Sequence, residues 1–142
     1  MRTIAGAAIA ATSLICLIGT ATAAELTAAE SRDLVTGKTL YLEFNAQSSG
    51  GAGKGVIYYA PDGTAVYKTA PGPVWHGTWT IKGNTVCTDW KEFPNNPCSK
   101  WDKQGDTLTQ INVVTGKPRG KFQKAVPGNP EKLLHKLRLR SA

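Results

Sequence analysis

Residues 75–90 read Trp75-His76-Gly77-Thr78-Trp79-Thr80-Ile81-Lys82-Gly83-Asn84-Thr85-Val86-Cys87-Thr88-Asp89-Trp90. Trp75, Gly77, Trp79 and Ile81 alternate with His76, Thr78 and Thr80, a two-residue period that sends the first set to one face of a strand and the second to the other. Lys82-Gly83-Asn84 supplies a turn, and residues 85–90 return as a second strand. The stretch predicts an antiparallel hairpin with its tryptophans buried and its histidine facing water.

The same alternation extends in both directions. Upstream, residues 55–60 and 65–69 flank Pro61-Asp62-Gly63-Thr64, where proline presets the turn and glycine accepts positive φ. Leu40, Leu42 and Phe44 share one face of a first strand. Between them, Ser48-Ser49-Gly50-Gly51-Ala52-Gly53 is too poor in side chains for regular structure and reads as a linker or mobile flap. Downstream, Pro94, Asn95, Asn96 and Pro97 mark residues 91–97 as a loop. Strands are expected at 107–114 and 119–126, with a bulge between Leu108 and Ile111, which sit out of phase.

Helices are predicted only at the two ends of this β region. Thr27 and Glu30 form a capping box ahead of a helix over 28–36, with Leu26 and Leu34 as apolar contacts and Gly37 at the left-handed stop. Asn129, Pro130 and Glu131 open a second helix over about 129–140, with Leu133, Leu134 and Leu137 as its apolar stripe. The predicted class is mainly β: a small antiparallel meander barrel or curved sandwich of six to eight strands, with a short N-terminal and a C-terminal helix. Closing the sheet protects edges that otherwise invite pairing with other chains.

The N-terminus carries an address. Arg2, the apolar run from Ile4 to Ile18 and the small-x-small Ala21-Thr22-Ala23 match a cleaved secretory signal peptide, residues 1–23. The apolar run is shorter than the roughly 20 residues of a spanning helix, so no transmembrane segment is expected after cleavage. Cys16 follows Ser13-Leu14-Ile15 and lacks the small residue that precedes a lipidated cysteine. Residues 24–142 are then one domain in the periplasm or outside the cell, retaining only Cys87 and Cys98. An even pair in an oxidising compartment predicts a disulfide, worth about 3 kcal/mol for a loop of this size. Cys87 lies in a strand pattern and has no nearby histidine, which favours a staple over a redox pair or a metal site.

Charge is unevenly spread. Of the formal net charge of +7, residues 24–116 hold eight Lys or Arg against nine Asp or Glu, whereas residues 117–142 hold eight against one. Lys132, Lys136, Arg138 and Arg140 flank the leucine stripe. That pattern gives either a basic amphipathic helix for an anionic envelope component or an acidic protein, or a helix whose leucines pack on the barrel while its charges are solvated. Export and the lack of a recognised motif disfavour nucleic acid.

Trp75, Trp79 and Trp90 alternate with polar residues and are expected in the core. Tyr58 and Tyr59 face opposite sides of a strand, so one of them, or Trp101 in the loop after Cys98, is the candidate for an exposed ligand contact. A barrel cavity, if formed, would hold a small apolar ligand between such rings. His76 and His135 are far apart, no nucleophile elbow occurs, and Asp62 and Asp106 sit in turns, so no catalytic residue, cofactor or metal is expected.

The run 77–90, then Cys98, then Val126-Pro127-Gly128-Asn129-Pro130-Glu131, resembles a family of small exported proteobacterial proteins with Gly-x-Trp and Cys-x-x-Trp segments and no assigned activity. The resemblance covers about residues 26–133. It implies a small β domain outside the cytoplasm, carries Cys87 and Cys98 over as a bridge, and transfers no catalytic residue. The 48–53 insertion and the basic tail depart from that pattern. A weaker resemblance is to periplasmic inhibitors of secreted metalloproteases, single-disulfide β-barrels whose free N-terminal arm enters the protease cleft; the capping box at Thr27 leaves only a short arm here. The sequence thus points to an exported, non-catalytic binding protein acting through loops or the basic helix. An inhibitor or immunity-type protein, or a carrier of a small apolar ligand, is the alternative.

Overall fold

In the computed structural model, residues 22–93, 95 and 98–140 are described, with Arg140 described for its backbone only. The expected signal peptide, apart from Thr22 and Ala23, lies outside the described residues, as do Cys16, Pro94, Asn96 and Pro97. In chain order the elements are β1 (Ala24–Glu25), α1 (Ala28–Val35), β2 (Lys38–Phe44), β3 (Gly53–Tyr59), β4 (Thr64–Ala70) and β5 (Val74–Lys82). They continue with β6 (Thr85–Trp90), β7 (Ser99–Gln104), β8 (Thr107–Asn112), β9 (Pro118–Pro127) and α2 (Leu133–Arg140).

Strict alternation builds the sheet. Leu40, Leu42 and Phe44 of β2, Ile57 and Tyr59 of β3, Ala65 and Tyr67 of β4 and Trp79 of β5 turn to one face and form a single buried core. All pairings are antiparallel, in the order β7-β6-β5-β4-β3-β2-β9-β8, and β8 pairs again with β7 to close an eight-stranded barrel. Closure removes the sheet edges that a meander would leave.

The closure has one thin seam. Among the described residues, β6 and β7 share a single ladder pair, Val86 with Ser99. The next position on each strand is Cys87 and Cys98, which form the expected disulfide with their Cα atoms 4.1 Å apart. The rest of that edge of β7 is taken by β1, where Ala24 opposes Lys103 and Glu25 opposes Asp102. Glu25 also pairs with Lys100 and accepts from Asn84 Nδ2 at 2.9 Å, tying β1 to the β5–β6 turn.

α1 lies at one end of the barrel. Thr27 and Glu30 form the expected capping box, Gly37 takes φ +67°, and Val35, wholly buried, joins the barrel core. Buried Ser31 donates from Oγ to Asn84 O at 3.1 Å, which fixes the helix over that end. Gly77 is required by close approach: a Cβ there would lie 2.1 Å from Asp89 O of the paired strand.

α2 packs outside the barrel. Leu133, Leu134 and Leu137 cover Val56, Tyr58, Ala60, Val66 and Val74, a second apolar cluster on the outer face of β3, β4 and β5. The helix starts four residues later than predicted. Residues 129–132 form a turn, with Lys132 N–H donating to Asn129 O at 3.0 Å, while Glu131 is drawn to the Tyr41 hydroxyl at 2.7 Å. Asn129 still caps, accepting from Leu133 N–H at 2.8 Å.

Two strand expectations need correction. β7 falls where only loop was expected, because Ser99-Lys100-Trp101-Asp102-Lys103-Gln104 carries one apolar residue and so shows little alternation. β8 stops at Asn112, leaving Val113 and Val114 in the next loop at 44% and 80% exposure.

Candidate functional site

The two barrel ends differ in kind. One carries α1 and the turns at 60–63, 83–84 and 105–106; the other carries residues 45–52, 71–73, 91–93 and 113–117. The chemistry gathers at this loop end, around Arg119.

Arg119 owes its position to a bulge. In the β8–β9 ladder Gln110 opposes Gly120 and Ile111 opposes Pro118, so residue 119 is the extra one. A bulge bends its strand and re-aims the unpaired side chain. Here Arg119 turns its side chain into the barrel mouth and is buried, at 8% exposure. Its Nη1 donates to Oγ of buried Ser99 at 2.8 Å and its Nη2 to Oγ of Ser49 at 3.3 Å. Burial pulls its pKa down, opposed by the nearby hydroxyls of Tyr59 and Tyr67. A guanidinium remains protonated regardless, so the mouth holds a permanent cation.

A row of aromatic rings lies at the same end of the barrel. Tyr67 meets Phe44 at 5.4 Å, Trp75 at 5.2 Å and Trp90 at 5.7 Å between centroids, and Trp75 meets Phe93 edge-on at 4.5 Å. The row runs from the barrel core outwards, since Tyr67 is buried while Trp75 and Phe93 are half-exposed. Burial pushes the Tyr59 and Tyr67 phenols up to about 12, with Arg119 pulling the other way.

The glycine-rich segment lies over this site. Asn45 anchors it, donating from Nδ2 to Pro118 O and accepting from Gln47 N–H, both at 2.8 Å. Ser48 is buried, Ser49 reaches Arg119, and the Ser49 hydroxyl also donates to Asn95 O at 3.4 Å. Gly50 rests on Tyr67 so closely that a Cβ would lie 2.8 Å from both Cε1 and the hydroxyl, and 3.1 Å from Trp75 Cζ3. Of the two sequence readings, linker or flap, its position is that of a cover over the mouth.

Among the described residues, the buried polar atoms without a hydrogen-bond partner include the Tyr67 hydroxyl, Trp101 Nε1 and Gln110 Oε1. Trp101 and Gln110 oppose each other across β7 and β8, and Trp101 is two residues inward from the Ser99 that binds Arg119.

Comparison with protein-family models, with curated proteins and with solved structures returned no match. The site therefore rests on its own geometry.

The residues singled out from sequence fall elsewhere. Tyr58, Tyr59 and Trp101 are exposed by 8%, 1% and 0%, so none is the expected exposed contact. Tyr58 lies beneath α2, Tyr59 packs on Trp79 inside the barrel, and Trp101 is a core residue of β7. Of the basic residues, Lys132 in the turn before α2 and Arg138 on α2 are exposed and Lys136 is half-exposed, while the leucines beside them are spent on the barrel. Leu139 is left 66% exposed. Outside the barrel, an open groove of about 450 Å³ is lined by Tyr41, Val56, Lys54 and Lys124 among others, with the Lys124 ammonium 4.5 Å from the Tyr41 ring centroid. The mouth residues Arg119, Trp75 and Phe93 were not among the sequence candidates. The bulge expected between Leu108 and Ile111 was the nearest signal, but the extra residue is Arg119, on the paired strand β9.

Proposed function

We propose that this protein is an exported, non-catalytic binding protein whose contact surface is the loop end of the barrel. The observation that carries the reading is Arg119: a bulge turns a charged side chain into the mouth, at the same end as a row of aromatic rings and beneath a glycine-rich cover. Burying a guanidinium costs several kcal/mol that an apolar residue would spare, so its retention fits a role in recognition. The scaffold supports the same reading, because the disulfide, β1 and α1 fix the far end and the seam while leaving the loops to vary.

An inhibitor or immunity-type protein would use these same loops, since Ala24 and Glu25 are paired with β7 and Leu26 N–H is bonded to Trp101 O. A second contact surface is the outer edge of α2 with the turn before it, where Lys132, Lys136 and Arg138 accompany exposed Leu139. That edge fits an anionic envelope component.

The test places a photo-crosslinking residue at Val114, on the loop end, and at Asp106, on the opposite end, in cells that export the protein. Intact-mass spectrometry then detects a small ligand and a protein partner alike. Adducts at Val114 and none at Asp106 support the loop end; adducts at neither, or at Asp106 alone, overturn it.

A further inference from the structure

We propose that the open groove on the outer wall of the barrel binds an acidic polysaccharide, a chain that carries both carboxylates and hydroxyls. The site lies apart from the loop end and stands or falls without it.

Strand register builds the site. On the outward faces, Glu43 of β2 has Lys54 of β3 on one side and Lys121 of β9 on the other, and in the next row Tyr41 lies between Val56 and Lys124. Val56 in turn opposes Lys68 of β4. Four lysines are thus arrayed about Glu43, the one acidic residue in β2, β3, β4 and β9. Lys54, Lys121 and Lys124 are exposed and Lys68 is half-exposed. Among the described residues, neither these lysines nor Glu43 form an ion pair.

Charge sets the sign of the ligand, and its spread sets the length. Lys54 and Lys121 stand two strand spacings apart, about 10 Å, and Lys68 and Lys124 three, about 14 Å. Such separations exceed the span of one carboxylate or phosphate and suit a chain that offers an acid group to each ammonium in turn. Lysine's compact charge on a flexible stem meets these groups without a fixed fork.

The groove fits a single chain better than a flat bilayer. It measures about 450 Å³ and is lined by Tyr41, Glu43, Lys54, Val56, Gln123 and Lys124 among others. Val56 also packs beneath α2, and the Tyr41 hydroxyl bonds to Glu131 just ahead of that helix, so the groove lies at the helix's foot. A helix is about 10 Å across, and α2 therefore forms a ridge that holds a flat surface off the wall while a chain lies in the corner.

Glu43 selects among chains. A carboxylate accepts hydrogen bonds and repels other acids, so between two lysines it calls for a donor, which a sugar hydroxyl supplies and a phosphate chain does not. Tyr41 and Val56 give the sugar an apolar floor, with Gln123 as a further polar contact.

The test titrates hexagalacturonate, neutral maltohexaose, linear polyphosphate and phosphatidylglycerol vesicles into the folded, disulfide-bonded protein, read by calorimetry. The wild type is expected to bind hexagalacturonate about tenfold or more tighter than maltohexaose, with affinity falling as salt rises. Lys54→Gln with Lys124→Gln is expected to weaken hexagalacturonate by about five- to tenfold, whereas Lys82→Gln with Lys103→Gln, the same charge change at the α1 end, shifts it by less than about twofold. Glu43→Ala is expected to weaken hexagalacturonate by about fivefold and to tighten polyphosphate. No binding of hexagalacturonate, equal binding of maltohexaose, or equal losses in the two lysine pairs overturns the site. Tightening of both chains in Glu43→Ala, or vesicle binding that Lys54→Gln with Lys124→Gln removes, overturns the polysaccharide.

Discussion

Removing the Cys87–Cys98 disulfide should open the barrel at one seam before it unfolds the rest. The bridge spans a sequence separation of 11, for which loop-closure entropy gives about 3 kcal/mol. A small domain has about 5–15 kcal/mol in total, so the loss is a large share. Location adds to it, because among the described residues β6 and β7 are otherwise joined in the ladder by Val86 and Ser99 alone, whereas β2 pairs along its whole length with both β3 and β9. The perturbation is the double substitution Cys87→Ala and Cys98→Ala, compared with the oxidised wild type in urea. With a urea slope of about 1–3 kcal/mol per molar, the midpoint should fall by roughly 1–3 M. Native-state hydrogen exchange gives the spatial half of the prediction: amides of β6 and β7 should lose protection well ahead of those in β2 and β3. An unchanged midpoint, or protection lost evenly around the barrel, would refute the view that this bridge closes a thin seam.

Other consequences follow from single contacts. Gly77→Ala places a Cβ about 2.1 Å from Asp89 O, so β5 and β6 must shift apart, and urea unfolding should show a loss of about 1–3 kcal/mol. Leu133→Ala truncates a wholly buried side chain beneath α2 and should cost about 2–5 kcal/mol by the same assay, with Tyr58 becoming accessible to iodination. Tyr59 and Tyr67 have folded-state pKa values raised from 10.0 to about 12, so the unfolded chain releases its phenolic protons first. Their contribution is complete below pH 10 and is lost as pH rises from there to about 12. Tyr41 is also raised to about 12, by burial and its hydrogen bond to Glu131, so phenolate absorbance during an alkaline titration should show three tyrosines ionising late or together with unfolding; normal titration of all the tyrosines would contradict this.

Sequence revealed the fold wherever apolar residues alternate. The Trp75–Ile81 and Leu40–Phe44 patterns gave strands facing the core, and the capping box placed α1 to within a residue, because both signals are local. β7 escaped because its neighbours supply the pairing: six residues with one tryptophan become a strand only when β6, β8 and β1 offer ladders. Trp101 was misplaced for the same reason. The α2 leucines allowed a membrane-facing or a barrel-facing stripe, and the choice depended on an apolar outer face made by Tyr58, Val66 and Val74 from three strands. Arg119 was the hardest to foresee. Its neighbours Pro118 and Gly120 show no pattern that distinguishes an inward arginine from one of the surface cations around it, and only the register shift against β8 sends it inward. A contact made by one bulge and one loop 70 residues apart leaves no local signature.

The most direct measurement of where this protein makes contact is the ratio of crosslinked adduct at Val114 to that at Leu139, taken side by side in exporting cells. Val114 reports the loop end and Leu139 the basic edge of α2, and both are well exposed, at 80% and 66%. The loop-end account predicts adducts at Val114 that disappear when Arg119→Gln is combined with the probe, with little at Leu139. Adducts confined to Leu139, unaffected by Arg119, would contradict it and move the function to the C-terminal helix.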